Sequence, residues 1–335
     1  MGRLEQPARP AWFFWVTLVV VLGALVIVAR WDANGQQPAR SGRPLKLADI
    51  PFNGERAYQH LKDICALGPR VSGTKGMAEQ QALLEKHFTD LGGKVSFQRF
   101  EQRHPVDGSR VAMANLIVEW NPAAKERILL CCHYDTRPYP DRDPDPRKRK
   151  GVFLGANDGA SGAALLMELG RMLPELKMKR GVDFVFFDAE ELVYDDSHKY
   201  FLGSEYFART YVGEPPGHKY VQGVLLDMVG DAELQLMQEV NSLRDPPTRE
   251  LIGEIWGTAR KLGVSEFIPR GGHEVRDDHL ALIHVARIPT CDIIDFDYPR
   301  PRTNYWHTTH DTPDKCSALS LAKVGWVLHE WLRGK

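Results

Sequence analysis

Six side chains able to hold a metal ion are spread along the chain: His133 in "CCHYD", Asp158 in "GANDGASG", the adjacent Glu190 and Glu191 in "FFDAEE", Asp227 in "LLDMVG" and His307 in "WHTTHDTPDK". Each is weak alone. A His-x-Asp pair such as His133 and Asp135 arises often by chance, and an Asp after a strand is commonly a helix cap. The glutamates say more, because they follow "VDFVFFDA", a stretch with almost no polar surface. Two ionised carboxylates there repel each other unless a cation or a proton compensates them. Zinc is one such cation: it accepts imidazole nitrogen and carboxylate oxygen, and a catalytic site leaves a coordination position open. Asp158 lies in a Gly/Ala-rich turn opening a helix, where small neighbours let the backbone approach a metal. His310 lies close to His307 and is less favoured by its context.

The elements that must position these residues read as short apolar runs: "ANLIVEW" (114–120), "RILLCCHYD" (127–135), "VDFVFFDAEE" (182–191), "GVLLDMVG" (223–230) and "TCDIIDF" (290–296). Helical patterns lie around and between them, at 77–91 with a Gly-Gly cap and at 159–173. Runs apolar on both faces that alternate with helices predict an α/β fold, a mostly parallel central sheet with helices on both faces. His133, Asp135, Glu190, Glu191 and Asp227 then fall at or near the C-terminal ends of strands, where open α/β sheets place their active sites.

The order His, Asp, Glu-Glu, Asp, His at strand ends resembles that of the family-28 zinc metallopeptidases and, within the same fold, the glutaminyl-peptide cyclotransferases. The resemblance runs from about Leu67 to Leu332 and takes in "LGPRVSGTKG", "LGSEYFA" and "DDHLALI" as well. It implies the α/β/α sandwich of that fold. In the aminopeptidase pattern two zincs are expected, one on His133, Asp158 and Asp227, the other on Asp158 as the bridge, Glu191 and His307. In the cyclotransferase pattern one zinc is expected, on Asp158, Glu191 and His307, with His133 and Asp227 in the surrounding hydrogen-bond network. Under either, the resemblance makes Glu190 the general base and Asp135 the orienter of His133.

Three features are similar to the cyclotransferases. Eleven residues, "LVYDDSHKYFL", separate Glu191 from Gly203, where the aminopeptidases place a Gly-Ser soon after the pair. Asp277-Asp278-His279 stands where they carry Ser-Asp-His, which makes Asp277 similar to a third catalytic acid. Trp306 directly precedes His307 and is expected to wall the substrate pocket. Other features depart from that pattern: "GANDGASG" is similar to the aminopeptidase loop, Asp196 stands near the place of a pocket tryptophan, and Ala163 near that of the cysteine that would pair with Cys132. The expected reaction is conversion of N-terminal glutamine of peptides or proteins to pyroglutamate with release of ammonia. A zinc aminopeptidase hydrolysing peptide N-termini is the alternative. A binding protein that had lost catalysis would lack ligands or Glu190, and none is missing.

The chain has 335 residues, 43% hydrophobic and 26% charged, with a formal net charge of -1, so no global basic field suggests a nucleic-acid partner. The apolar run Ala11 to Ala29 is about 28 Å long as a helix, enough to span a bilayer. Trp12, Trp15 and Trp31 lie near its ends and Arg3 and Arg9 precede it, which predicts a signal anchor (1–31) rather than a cleaved signal peptide. A Gly/Pro-rich linker (32–44) and a zinc-dependent catalytic domain (45–335) follow, placed outside the cytoplasm, periplasmic or extracellular. Five cysteines, Cys65, Cys131, Cys132, Cys291 and Cys316, make no disulfide framework and no CxxC, so the adjacent pair reads as core thiols. Trp256 reads as core and His273 as a loop residue. Arg276 either pairs with Asp277 or reaches substrate, and the loop 141–151 either gates the site or is a solvated connection.

Overall fold

The alternation of apolar side chains along each run decides which core it feeds. The computed structural model describes residues 44–335. Its strands are Lys94–Arg103 (β1), Arg110–Trp120 (β2), Glu126–His133 (β3), Gly181–Phe187 (β4), Lys219–Asp227 (β5), the short Leu236–Gln238 (β6) and Phe267–Gly271 (β7), and Thr290–Ile294 (β8). Six of them form one sheet in the order β1-β2-β4-β3-β5-β8. The pairs β4/β3, β3/β5 and β5/β8 are parallel, and β2 runs antiparallel to both its neighbours. The mostly parallel sheet expected from the runs is what the chain forms.

Helices cover both faces. On one lie Gly54–Ala66 (α1), Lys75–Asp90 (α2) and Ala160–Met172 (α3); on the other lies Leu202–Gly213 (α4); Pro246–Leu262 (α5) and Ala318–Arg333 (α6) complete the first layer. Along β3, Ile128, Leu130 and Cys132 enter the first core, while Leu129 and Cys131 meet Phe207 and Ala208 of α4 in the second. Each fully buried Ile, Leu or Phe among them contributes roughly 1.5–3 kcal/mol. Cys131 and Cys132 thus pack as free thiols in opposite cores, and all five cysteines are buried and unbridged. Trp256 is core as expected, its indole N–H donating to the Ile268 carbonyl at 3.1 Å.

The helix expected at 77–91 begins earlier, because Thr74 caps it, and ends at Asp90, two residues before Gly92, whose φ of 83° suits the Gly-Gly stop. The sequence reading omitted β1. It is an edge strand with only Phe100 buried, so its apolar period is too faint to see, and its charged residues guard an exposed edge. The predicted signal anchor, and the linker up to residue 43, lie outside the described residues. Among the described residues no helix is long and apolar enough to cross a membrane.

What matters for the site is the switch at β3: the chain moves from β3 to β4 on one side, then crosses to β5 on the other. The crevice beyond the carboxyl end of β3 is where such sheets bind ligands.

Asp295, just past β8, accepts the Gln235 N–H at 2.6 Å and is pushed up to about 8 by burial and by Asp231 and Asp297. The native state keeps this proton to about pH 8, whereas the unfolded chain releases it near 3.9, so stability falls as pH rises through that window. Asp295→Asn should therefore gain on the parent protein between about pH 5 and 8 by at least ~1.4 kcal/mol, the worth of one pKa unit. Urea melts across that range at fixed metal loading check it; a difference independent of pH would refute it.

Candidate active site

His133 and Asp227 are the last residues of β3 and β5, Glu190 and Glu191 follow β4 by a short turn, and Asp158 sits just before α3. The turns that aim them are tight. Gly159 has φ 91°, and a Cβ there would stand 2.6 Å from the Asp135 carbonyl and 3.1 Å from the His133 ring. Four non-glycine residues also take positive φ at the site: Ala189 (57°) before the glutamates, Phe201 (61°) on the cavity wall, Met228 (48°) after Asp227, and His307 itself (55°). Such conformations cost about 1–2 kcal/mol each, and they concentrate where side chains must be aimed.

The Asp158 carboxylate is shared. One oxygen lies 3.1 Å from Nε2 of His133, and the other 3.3 Å from Nε2 of His307. His133 Nε2 is also 3.3 Å from Asp227, and His307 Nε2 is 3.1 Å from Glu191. Two groups of potential ligands result, His133/Asp158/Asp227 and Asp158/Glu191/His307, each with its ligand atoms within 4.8 Å of one another. All five residues are buried.

Asp158 Oδ2 and Glu191 Oε2 are buried without a hydrogen-bond partner. Burial and the charge of Asp158 push Glu191 up to about 7 despite the opposing pull of His307. Orphaned carboxylate oxygens facing imidazole nitrogens are a donor set that fits zinc. His310 is exposed and belongs to neither group.

Glu190, partly exposed, lines a cavity of about 400 Å³ together with Asp158, Asp227, Asp277, Trp306 and His307. Burial, Glu191 and Asp277 hold its carboxyl well above the ordinary range, against His133. Asp277 accepts the Asp278 N–H at 2.6 Å through one oxygen and leaves the other unpaired. It too is raised well above its usual value, by burial, Asp227 and Asp278. Trp306 stacks on the His307 ring, centroids 3.7 Å apart, and faces Phe296 at 5.2 Å, forming a wall. The insertion after Glu191 supplies Asp196, Tyr200 and Phe201 to the same cavity. A larger cleft of about 540 Å³, between Asn241 and Pro289, is lined by none of these ligands.

Other contacts add to these. Asp135 stands 3.6 Å from Nδ1 of His133, and its two oxygens also accept the N–H groups of Glu190 and Glu191, each at 3.1 Å. It ties the end of β3 to the turn carrying the glutamates. Arg276 lines the cavity and forms no ion pair with Asp277 among the described residues, and His273 pairs with Asp297 at 2.9 Å outside the cavity. Sequence reasoning passed over Asp311, which accepts the N–H groups of Asn157 (2.8 Å) and Asp158 (3.1 Å) and the Tyr298 hydroxyl (2.9 Å). Its place within "HTTHDTPDK" was the available signal. Also missed were Glu239 and Asp292, which flank the fully buried His279 at 3.2 and 3.7 Å behind Asp277.

The sequence model of peptidase family M28 matches residues 115–332, which hold every one of these ligands. The chain belongs to peptidase family M28. It is 39% identical to the glutaminyl cyclase of Fimbriiglobus ruber, whose crystal structure superposes with a TM-score of 0.80 over 90% of this chain and 100% of that one. It is 31% identical to a Zn-dependent exopeptidase from Parabacteroides distasonis, with a TM-score of 0.79 over 85% of this chain and all of that one. A curated relative, the glutaminyl-peptide cyclotransferase of Drosophila melanogaster, is 25% identical over 300 residues, 82% of this chain and 80% of its own. Family M28 membership and the exopeptidase neighbour imply zinc, and the donor set accords with it.

Because Asp311 holds the backbone that presents Asp158, Asp311→Asn, which removes one of two acceptor oxygens, should weaken zinc binding about tenfold, as orienting partners of ligands typically do. Competition against a chromogenic chelator, with circular dichroism to confirm an unchanged fold, measures it. Affinity equal to the parent would show that Asp311 does not position the ligand.

Proposed function

We propose that this M28 protein is a zinc-dependent glutaminyl-peptide cyclotransferase, converting N-terminal glutamine of peptides and proteins to pyroglutamate and ammonia. The observation that carries the reading is the third acid: Asp277, with a free oxygen, lines the same cavity as Glu190 and Asp227. The relatives named as glutaminyl cyclases support it, as does the insertion that walls the cavity.

Asp158, Glu191 and His307 would hold one zinc in this reading, and His133 lies within hydrogen-bonding reach of Asp227 and Asp158. When bound, zinc acts as a Lewis acid on the γ-carboxamide oxygen of the substrate. Glu190 takes a proton from the substrate α-amine and returns it to the departing amide nitrogen, a role worth typically 10²- to 10⁴-fold. The α-amine nitrogen bonds to the γ-carboxamide carbon, the bond from that carbon to its amide nitrogen breaks, and ammonia leaves. Asp277 and Asp227 exchange protons with Glu190, and Trp306 bounds the side chain being cyclised. The Ala11 to Ala29 run, preceded by Arg3 and Arg9, supports a membrane-anchored enzyme with its catalytic domain outside the cytoplasm.

The His133/Asp158/Asp227 group and the exopeptidase neighbour favour a second reading, a two-zinc aminopeptidase. One experiment separates them. Zinc-loaded protein is incubated with a Gln-peptide and a Leu-peptide, with zinc per chain counted by native mass spectrometry. The cyclase reading expects pyroglutamate, no free leucine, and one zinc that survives His133→Ala. Glu190→Gln should cut pyroglutamate turnover about 10²- to 10⁴-fold with zinc retained. Free leucine without pyroglutamate would overturn the reading.

A further inference from the structure

Arg137 follows the end of β3 by four residues, and only 1% of its side chain is exposed. Its Nε and Nη2 grip the Asp141 carboxylate at 2.6 and 3.0 Å, and Nη2 also donates to the Tyr200 hydroxyl at 3.3 Å. Its backbone N–H donates to Glu191 Oε1 at 2.6 Å. Burying a guanidinium is costly, and an ion pair that served stability alone would be expected to use every donor. Arg137 leaves one idle. Nη1 is buried without a hydrogen-bond partner among the described residues, and it faces Glu191 Oε2, equally unpartnered, at 3.9 Å. That same oxygen stands 3.1 Å from Nε2 of His307.

The acid of the pair lies against the other ligand. Asp141 Oδ1 is 4.0 Å from Nδ1 of His307, a buried nitrogen that has no hydrogen-bond partner among the described residues. The next residue, Arg142, donates its N–H to the His307 carbonyl at 3.1 Å, which fastens this loop to the segment carrying the ligand. One ion pair thus backs both Glu191 and His307 and reaches Tyr200, which the insertion contributes to the cavity wall. Arg137 is not itself among the residues that line the cavity.

We propose that Arg137 is a positioning residue that sets the ligands Glu191 and His307 and the wall residue Tyr200 as one unit. Side chains that orient metal ligands from behind typically cost about 10- to 100-fold in metal affinity when lost. A planar fork that holds a carboxylate through two nitrogens and a hydroxyl through one of them is geometry that a lysine, a point charge on a flexible stem, does not copy. The part concerning Tyr200 rests on the cyclase reading, whereas the part concerning zinc holds under either reading of the site.

Arg137→Lys keeps the charge and removes the fork. In full-length protein its zinc affinity, measured by competition against a chromogenic chelator, should fall about tenfold. Loss of a positive charge alone acts the other way, so an Arg137→Met variant that binds zinc more tightly than the parent would mark a purely electrostatic role and overturn the proposal. At saturating zinc, KM for amidated Gln-Ala-Ala should rise severalfold in Arg137→Lys and in Tyr200→Phe, with kcat nearly unchanged in the latter. In the double variant the two effects should not add, because both remove the same contact. Additive effects on KM, or parental zinc affinity in Arg137→Lys alongside a lowered Tm, reduce Arg137 to an ordinary structural ion pair. If circular dichroism shows Arg137→Lys unfolded, Asp141→Asn, at the partly exposed end of the pair, carries the same zinc expectation. Absence of pyroglutamate from the parent sinks the cyclase reading and the role of Tyr200, and the chelator competition still decides the role at the ligands.

Discussion

The Asp158 carboxylate, buried and shared between two imidazoles, is the constraint around which the molecule is arranged. Its two oxygens face His133 and His307 at 3.1 and 3.3 Å, with Asp227 and Glu191 beyond them. Burying so much negative charge at one sheet edge is unfavourable unless cations answer it. The fold must therefore do two things at once: bring acids together from separate strands, and stop them from relaxing apart.

The second task falls largely to the backbone. Asp135 grips the N–H groups of both glutamates, and Asp311 grips those of Asn157 and Asp158. Arg70, fully buried, donates to the carbonyls of Gly68, Leu154 and Gly155 and so clamps the turn that presents Asp158. Among the described residues its guanidinium has no carboxylate partner in direct contact, yet it sits as a fixed positive charge among Asp311, Glu191 and Asp135. The left-handed conformations at Ala189, Met228 and His307 belong to the same economy, because a relaxed backbone at any of them would turn a carboxylate or imidazole away from the shared centre.

The sheet and the six potential ligands were legible because their signals are local. Runs apolar on both faces cannot be solvated, and an acidic pair at the end of such a run needs a counter-charge. What escaped was decided by the tertiary structure. Strand β1 shows no clear period because it is an edge, and Asp311, Glu239 and Asp292 look in sequence like any other acids until folding buries them against backbone N–H groups or His279. Asp135 stands 3.6 Å from Nδ1 of His133, the partner the resemblance implied, while its bonds to the turn after β4 were illegible because they join segments far apart in sequence.

The remaining question for this scaffold is why one M28 site should cyclise rather than hydrolyse, and the difference lies in proton handling rather than in the metal ligands. Hydrolysis needs a base that activates water and an open approach for it. Cyclisation brings its own nucleophile, so water is a competitor, and the proton must travel from amine to leaving nitrogen within one enclosed space. The walls from Trp306, Phe296 and the insertion residues Tyr200 and Phe201 narrow that space, and burial with neighbouring charge raises both Glu190 and Asp277 above the ordinary carboxylate range. A carboxyl whose affinity for a proton is raised, lying in the same cavity as the base, offers a route for proton exchange without solvent, which is what an intramolecular transfer requires.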